Sequence, residues 1–245
     1  MTQKLVWIDV GTHRAQEYRS IFSSDLRIAA RLWRFNRRAK RNGETALSLS
    51  ALKAFWATRR ALTARRKDVF AIFVEANTRL VSRQVYSEAD ACFFVALGAR
   101  DDPDYQTGRL FLVHGDDQGQ GSSIYESKSN IGTESFVPCV VLNPASFARD
   151  LEAVLSDYGW DYKIMLRINC EGAEDEVIYA MHAQFGDKLA HIFGSLKDVR
   201  DVKGDEAYDA LMSYMDEKSL PFRYFSSEVH SWPESHSAIY QLLND

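Results

Sequence analysis

Four short runs of this sequence end in residues whose types and spacing can do chemistry. Leu166-Arg167-Ile168-Asn169-Cys170-Glu171-Gly172-Ala173-Glu174 follows an apolar stretch with two carboxylates and an amide clustered at its end. Phe73-Val74-Glu75-Ala76-Asn77 closes another apolar stretch with one acid, and a carboxylate there can accept hydrogen bonds from both hydroxyls of an adenosine ribose. Asp9-Val10-Gly11-Thr12-His13 makes a tight turn ahead of a helical stretch, whose free N–H groups and positive dipole end can receive an anionic group. Val95-Ala96-Leu97-Gly98 offers small apolar side chains and backbone to line an adenine slot. A dinucleotide fold places its acid about 20 residues after its glycines. Glu75 lies much later, and a basic segment fills the difference. His13 sits in the first turn, within reach of a cofactor or substrate, although a turn histidine is more often solvated. The remaining histidines, His114, His182, His191, His230 and His236, lack ligand spacings such as HExxH. Cys92, Cys139 and Cys170 are odd in number and widely separated, which suits reduced thiols and implies no metal through cysteine, while the acid cluster leaves a divalent ion open.

Those runs need elements to carry them. Residues 4–10 are an apolar run stopping at a turn, which predicts a buried strand; 69–74 and 91–97 repeat the pattern and predict two more, parallel ones. Residues 19–35 and 47–64 carry apolar side chains at steps of three and four with no proline, which predicts two helices separated at Asn42-Gly43. Strands are expected over 109–114 and 137–142 around a Gly-rich loop at 115–123, and a helix over 145–158 opened by Asn143-Pro144. Strands at 163–168 and 189–193 then alternate with helices at 172–185 and 205–217, and 221–226 supplies a late strand. Such alternation predicts an α/β fold with a parallel sheet, whose ligands bind outside the carboxyl ends of the strands. No repeat, low-complexity tract or Pro/Ser-rich linker interrupts the chain. The economical reading is one domain over 1–245, with 19–67 as a basic helical insertion.

Val6-Trp7-Ile8-Asp9-Val10-Gly11, Phe73-Val74-Glu75-Ala76-Asn77, Ala96-Leu97-Gly98, Gly121-Ser122-Ser123-Ile124 and Arg167-Ile168-Asn169-Cys170-Glu171-Gly172-Ala173-Glu174 come in the order of the FkbM family of S-adenosylmethionine-dependent methyltransferases. The chain resembles that family over about residues 4–182, most specifically at Glu171-Gly172-Ala173-Glu174. The resemblance implies a class I methyltransferase (Rossmann-like) fold with a seven-stranded, mostly parallel, doubly wound sheet. It implies S-adenosylmethionine as cofactor and methyl transfer to an oxygen, commonly a sugar hydroxyl of a glycan or glycosylated natural product. On that reading Asp9, Gly11, Glu75, Ala96 and Leu97 bind the cofactor, while Asn169 and His13 contact the acceptor. Glu171 is the first choice for a general base, and Glu174, one helical turn on, is its companion or orients substrate hydroxyls. The plainer role for both acids is to favour a helix amino terminus through its dipole, worth about 0.3 to 1 kcal/mol. Three positions depart from the family: Ala15 stands where it has a second glycine, Ala76 where proline follows the acid, and Arg167-Ile168-Asn169 where it has Lys-x-Asp. Alanine at 15 is compatible unless the native φ is positive. Asn169 cannot take a proton, so any base must be Glu171 or Glu174, or the chain does without one.

The 245 residues, 46% hydrophobic and 26% charged, have the composition of a globular protein, which excludes disorder and fibres. No window reaches the roughly 18 apolar residues of a membrane span, and MTQKLVWIDVG lacks a signal-peptide layout, so the cytosol is the expected compartment. Residues 19–67 hold fourteen Lys or Arg against Asp25 and Glu44, a net of +12; with the whole chain at −4, the remainder carries −16. Arg37 and Arg38, with their neighbours Lys40 and Arg41, are therefore candidates to grip an anionic acceptor such as a phosphorylated glycan. Nucleic acid and an anionic membrane surface are the other partners such a segment suits. Its bland role is a solvated helical face, and Trp33, Phe35, Phe55 and Trp56 are then the apolar side that docks it. A catalytically silent relative that binds a partner through these helices is the competing functional reading.

Overall fold

The computed structural model describes residues 3–98, 104–113, 120–224, 229 and 232–244. In chain order the elements are β1 (Lys4–Val10), α1 (Gln16–Phe22), α2 (Asp25–Asn42), α3 (Leu49–Ala64), β2 (Val69–Val74), β3 (Ala91–Phe93), β4 (Ala96–Leu97), β5 (Tyr105–Val113) and β6 (Ile131–Leu142). These are followed by α4 (Pro144–Asp157), β7 (Tyr162–Ile168), α5 (Glu174–Phe185), β8 (Leu189–Gly194), α6 (Lys197–Lys203), α7 (Asp205–Glu217), β9 (Phe222–Tyr224) and α8 (Trp232–Leu242). The backbone gathers into two compact units, Met1–Arg14 with Phe70–Tyr224, and Ala15–Val69 with Phe225–Asp245.

In the first unit, six strands among the described residues form one sheet in the order β3-β2-β1-β7-β8-β9. The pairings β2 with β3, β1 with β7, β7 with β8 and β8 with β9 are parallel. This is an α/β fold compatible with the Rossmann-like form. Alternate residues Val6, Ile8 and Val10 of β1, Ile72 and Val74 of β2, and Ile164, Leu166 and Ile168 of β7 share one apolar cluster. Phe147 and Leu151 of α4, Val177, Ile178 and Met181 of α5, and Leu211 and Met215 of α7 complete it. Leu5, Trp7, Phe73 and Met165, which point the other way, are buried as well. Burial on both faces is why these strands read as largely apolar runs.

The expected strand over 91–97 is two strands in two sheets. The N–H of Glu75 bonds the Phe93 carbonyl at 2.9 Å, after which the chain leaves the main sheet, and β4 pairs parallel with β6. β5 and β6 are antiparallel and longer than the sequence suggested. Along β6 the buried Val137, Cys139 and Val141 alternate with exposed Pro138 and Val140, the period of a half-buried strand. The expected Gly-rich loop and His114 lie largely outside the described residues, as do Phe225 and Ser226 of the late strand. All three cysteines are free.

The second unit corrects the boundaries of the basic segment. Its helices do not form an insertion by themselves, because α8 from the end of the chain completes their core: Ile28, Leu32, Phe55, Val229 and Trp232 are buried together. The first predicted helix is broken at Ser23-Ser24, with Arg59 filling the break: its guanidinium is buried, pairs with Asp25 and donates to the Ser23 carbonyl. Deeper in the same unit His236 shares a hydrogen bond of 2.7 Å with Ser20 Oγ, and burial pushes its imidazole down to about 3.

Candidate functional site

The chain runs outward from β1 through β2 to β3 and returns to the other side of β1 as β7, β8 and β9, so β1 and β7 are neighbours whose following connections diverge. In parallel α/β sheets that switch point is where ligands bind, outside the carboxyl ends of the strands. Three of the four sequence runs converge there.

The turn after β1 is the first wall. Gly11 has φ 73°, and a side-chain carbon on it would lie 2.0 Å from the Asn169 carbonyl oxygen, so only glycine lets the ends of β1 and β7 approach so closely. Arg167, opposite Asp9 in the register, donates to the Gly11 carbonyl at 2.8 Å and to Asp9 Oδ1 at 3.3 Å. Asp9 is fully buried beneath the turn. The N–H groups of Gly11 and Thr12 both bond the Val74 carbonyl, at 2.9 and 3.2 Å, which ties the turn to β2.

Glu75 is the second wall. Its Oε2 accepts the His13 N–H at 2.7 Å and its Oε1 accepts the Asn77 N–H at 2.8 Å. One carboxylate therefore clamps the turn after β1 to the turn after β2. Burial pushes its pKa above the ordinary value, opposed by these two N–H groups and by Arg167. His13, half-buried, holds φ 48°, and its carbonyl accepts the Tyr86 hydroxyl at 2.8 Å. Ala15, just beyond, adopts φ 45° and ψ 49°. Alanine suits that position unless φ is positive; φ is positive, and the residue stands in the left-handed region that favours glycine.

The end of β7 is the third wall and the most charged. Glu171, at φ 62°, accepts Asn169 Nδ2–H at 2.9 Å on one oxygen and pairs with Lys128 through the other. The Lys128 ammonium is buried, donates to the Gly121 carbonyl at 2.9 Å and lies 3.3 Å from Asp198 Oδ1. Burial raises the Glu171 pKa; Lys128 pulls it back and Asp198 pushes it up. Glu174 is fully buried, and its oxygens accept the N–H groups of Glu171 at 2.7 Å and Gly172 at 2.8 Å. Burial raises it to about 7. Glu174 thus shapes the turn that presents Glu171. Ser123 Oγ holds the same turn from outside, donating to the Glu171 carbonyl at 2.6 Å.

Ala96 and Leu97, expected beside an adenine, are buried on β4; Ala96 packs with Ala76, Ile124 and Val141, and Leu97 joins the main core. Arg37 and Arg38 belong to the second unit, exposed on α2. Sequence reasoning missed Lys128 and Asp198. A contact across 43 positions, as between Lys128 and Glu171, leaves no periodic trace, and Lys128 follows a loop with no pattern of its own. Among the described residues no group of three or more His, Cys, Asp or Glu is arranged for a metal. The cation between Glu171 and Asp198 is the lysine itself.

A groove of about 390 Å³ opens beside the small sheet, lined by Thr107, Arg109, Phe111, Ile124, Tyr125 and Glu126. Tyr125 links it to the turn after β7: its hydroxyl donates to Glu176 Oε1 at 2.6 Å, and its ring is 3.2 Å from where a side chain on Gly172 would begin. No protein-family model, curated protein or solved structure matches the chain.

Proposed function

We propose that this protein is an S-adenosylmethionine-dependent O-methyltransferase, of the kind the FkbM resemblance suggests, acting on a hydroxyl of a sugar or glycosylated small molecule. The observation that carries the reading is Glu75 at the end of β2, hydrogen-bonded to the turn after β1 and set at the switch point that Glu171 shares from β7. The seven-stranded methyltransferase form of the fold is part of the proposal. The residues fit the cofactor, because a carboxylate offers about four acceptor positions and Glu75 commits one on each oxygen to backbone. The free position on each oxygen suits the two ribose hydroxyls. When bound, the cofactor supplies a methyl group on a positively charged sulfur.

With that group bound, Glu75 would hold the cofactor's ribose and Glu171 would accept the proton that an acceptor hydroxyl gives up as it takes the methyl. Most of the rate comes from holding oxygen and methyl about 3 to 3.5 Å apart, and a positioned base adds typically 10²- to 10⁴-fold. Asn169 and Lys128 hold the Glu171 carboxylate, and Glu174 holds its backbone. The groove along Tyr125 is our candidate for the acceptor, with an aromatic wall for a sugar face and Arg109 and Glu126 for its hydroxyls.

Titration calorimetry with S-adenosylmethionine tests the reading. Saturable binding is expected, weakened roughly 10- to 150-fold by Glu75→Ala, since a hydrogen bond to a charged acceptor is worth about 1.5 to 3 kcal/mol. A folded protein that does not bind the cofactor is the silent relative instead. A mass increase on candidate glycans then identifies the acceptor.

A further inference from the structure

From α2 of the second unit we infer that this protein docks on an anionic lipid bilayer surface. The inference is independent of methyl transfer. α2 is apolar on two opposite sides. Ile28, Leu32, Phe35 and Ala39, at steps of four, three and four, form the side that meets α3 and α8. Half a turn away, Leu26, Ala30 and Trp33 form a second apolar line, which Arg37 continues at the same steps, and this one faces water. Leu26 is 81% exposed and Trp33 61%. Arg27, Arg34, Arg38 and Arg41 run beside that line, also exposed. The helix holds seven Lys or Arg and one acid, Asp25, which Arg59 already neutralises.

A merely solvated face accounts for the arginines but not for an exposed leucine and tryptophan in line between them. A nucleic acid accounts for the charge and for Trp33, whose ring could stack on a base, but a leucine has no ring to stack. A bilayer accounts for all three. A basic amphipathic helix lies in the interface plane with its apolar residues at the headgroup–acyl boundary, and its arginines meet lipid phosphates while their stems stay among the apolar groups. Arg37, whose guanidinium lies 5.3 Å from the centre of the Trp33 ring, already sets that pairing of a ring with a phosphate-seeking cation. Leu49, at the start of α3, is a further exposed apolar side chain of this unit, 79% exposed.

Flotation of the whole protein with vesicles tests the inference. The protein should rise with phosphatidylcholine–phosphatidylglycerol vesicles and not with phosphatidylcholine alone, and added salt should weaken the association. Leu26→Ser with Trp33→Ser should lower the partition at least roughly tenfold. Arg34→Gln, Arg37→Gln, Arg38→Gln and Arg41→Gln together should lower it by roughly fivefold per charge. All six side chains are exposed, so both variants should keep the wild-type circular dichroism. Tryptophan emission should shift to the blue on binding, and the shift should vanish in Trp33→Phe. The inference is overturned if vesicle binding is absent, if it is equal on neutral lipid, or if the Leu26/Trp33 variant binds as wild type does. Salt-dependent binding to single-stranded RNA without vesicle binding would assign the face to nucleic acid instead.

Discussion

Glu174 sets solvation against hydrogen bonding: it is fully buried, yet its two oxygens hold N–H groups that favour the ionised form. Burial wins, and the carboxyl titrates at about 7 instead of 4.5. The folded chain therefore holds that proton more tightly than the unfolded chain. The stabilisation is complete below the unfolded value and is lost as pH rises from 4.5 through 7. Glu174→Gln does not titrate, so the stability of wild type relative to this variant should decrease across that window. Denaturant unfolding at its two ends measures this, and a constant difference would mean that Glu174 does not titrate there. Lys128 presents the opposite problem. Lys128→Met leaves Glu171 and Asp198 facing each other without their buried cation, which should cost about 3 to 5 kcal/mol in urea unfolding. Glu171→Gln should lower turnover while leaving S-adenosylmethionine affinity nearly unchanged, if the carboxylate acts on the acceptor. Equal loss of both would move Glu171 into the cofactor's own pocket.

At the scale of elements, the turn from β1 into α1 decides how close the sheet's strand ends come. Gly11→Ala would drive a methyl into the Asn169 carbonyl, 2.0 Å away, and that oxygen belongs to backbone that cannot swing aside. The expected result is a protein that unfolds at markedly lower denaturant, or does not fold. Ala15→Gly tests the same turn in the other direction. A left-handed non-glycine residue costs about 1 to 2 kcal/mol, and glycine returns about 0.5 to 1 kcal/mol of that through its greater freedom when unfolded. Ala15→Gly should therefore raise stability by up to about 1.5 kcal/mol, read as a shift of the denaturation midpoint. No change would show that contacts of the alanine methyl, which is fully buried, offset the backbone strain.

Over the whole molecule, charge and packing divide along different lines. The −4 of the full chain conceals a segment at +12, and that segment is held in shape by residues from the far end of the sequence. Trp232 on α8 is fully buried and stacks on Phe55 of α3 with ring centres 5.9 Å apart. Trp232→Ala should cost about 3 to 5 kcal/mol of local stability. Hydrogen exchange should then quicken in α2, α3 and α8, and unchanged protection in these helices would mean that they hold together without α8. Among the described residues no helix is long and apolar enough to cross a membrane, so lipid contact through α2 would be contact with a surface.

The sequence by itself determined the strands buried on both faces. β1 and β2 begin and end where their apolar runs do, because a strand covered on both sides is apolar at most positions, the buried Asp9 of β1 being an exception. It also determined where polar side chains meet the strand ends, since Glu75, Asn169 and Glu171 stand where hydrophobicity stops. β6 was only half legible: its polar, exposed positions interrupt the apolar signal, and nothing local tells a hairpin sheet from the edge of the main one. Only the tertiary structure decided that residues 91–97 serve two sheets, that α8 completes the core of the basic helices, and that Lys128 neutralises Glu171. Each of these rests on partners far apart in the chain, and a contact between distant positions imposes no period on the residues that make it.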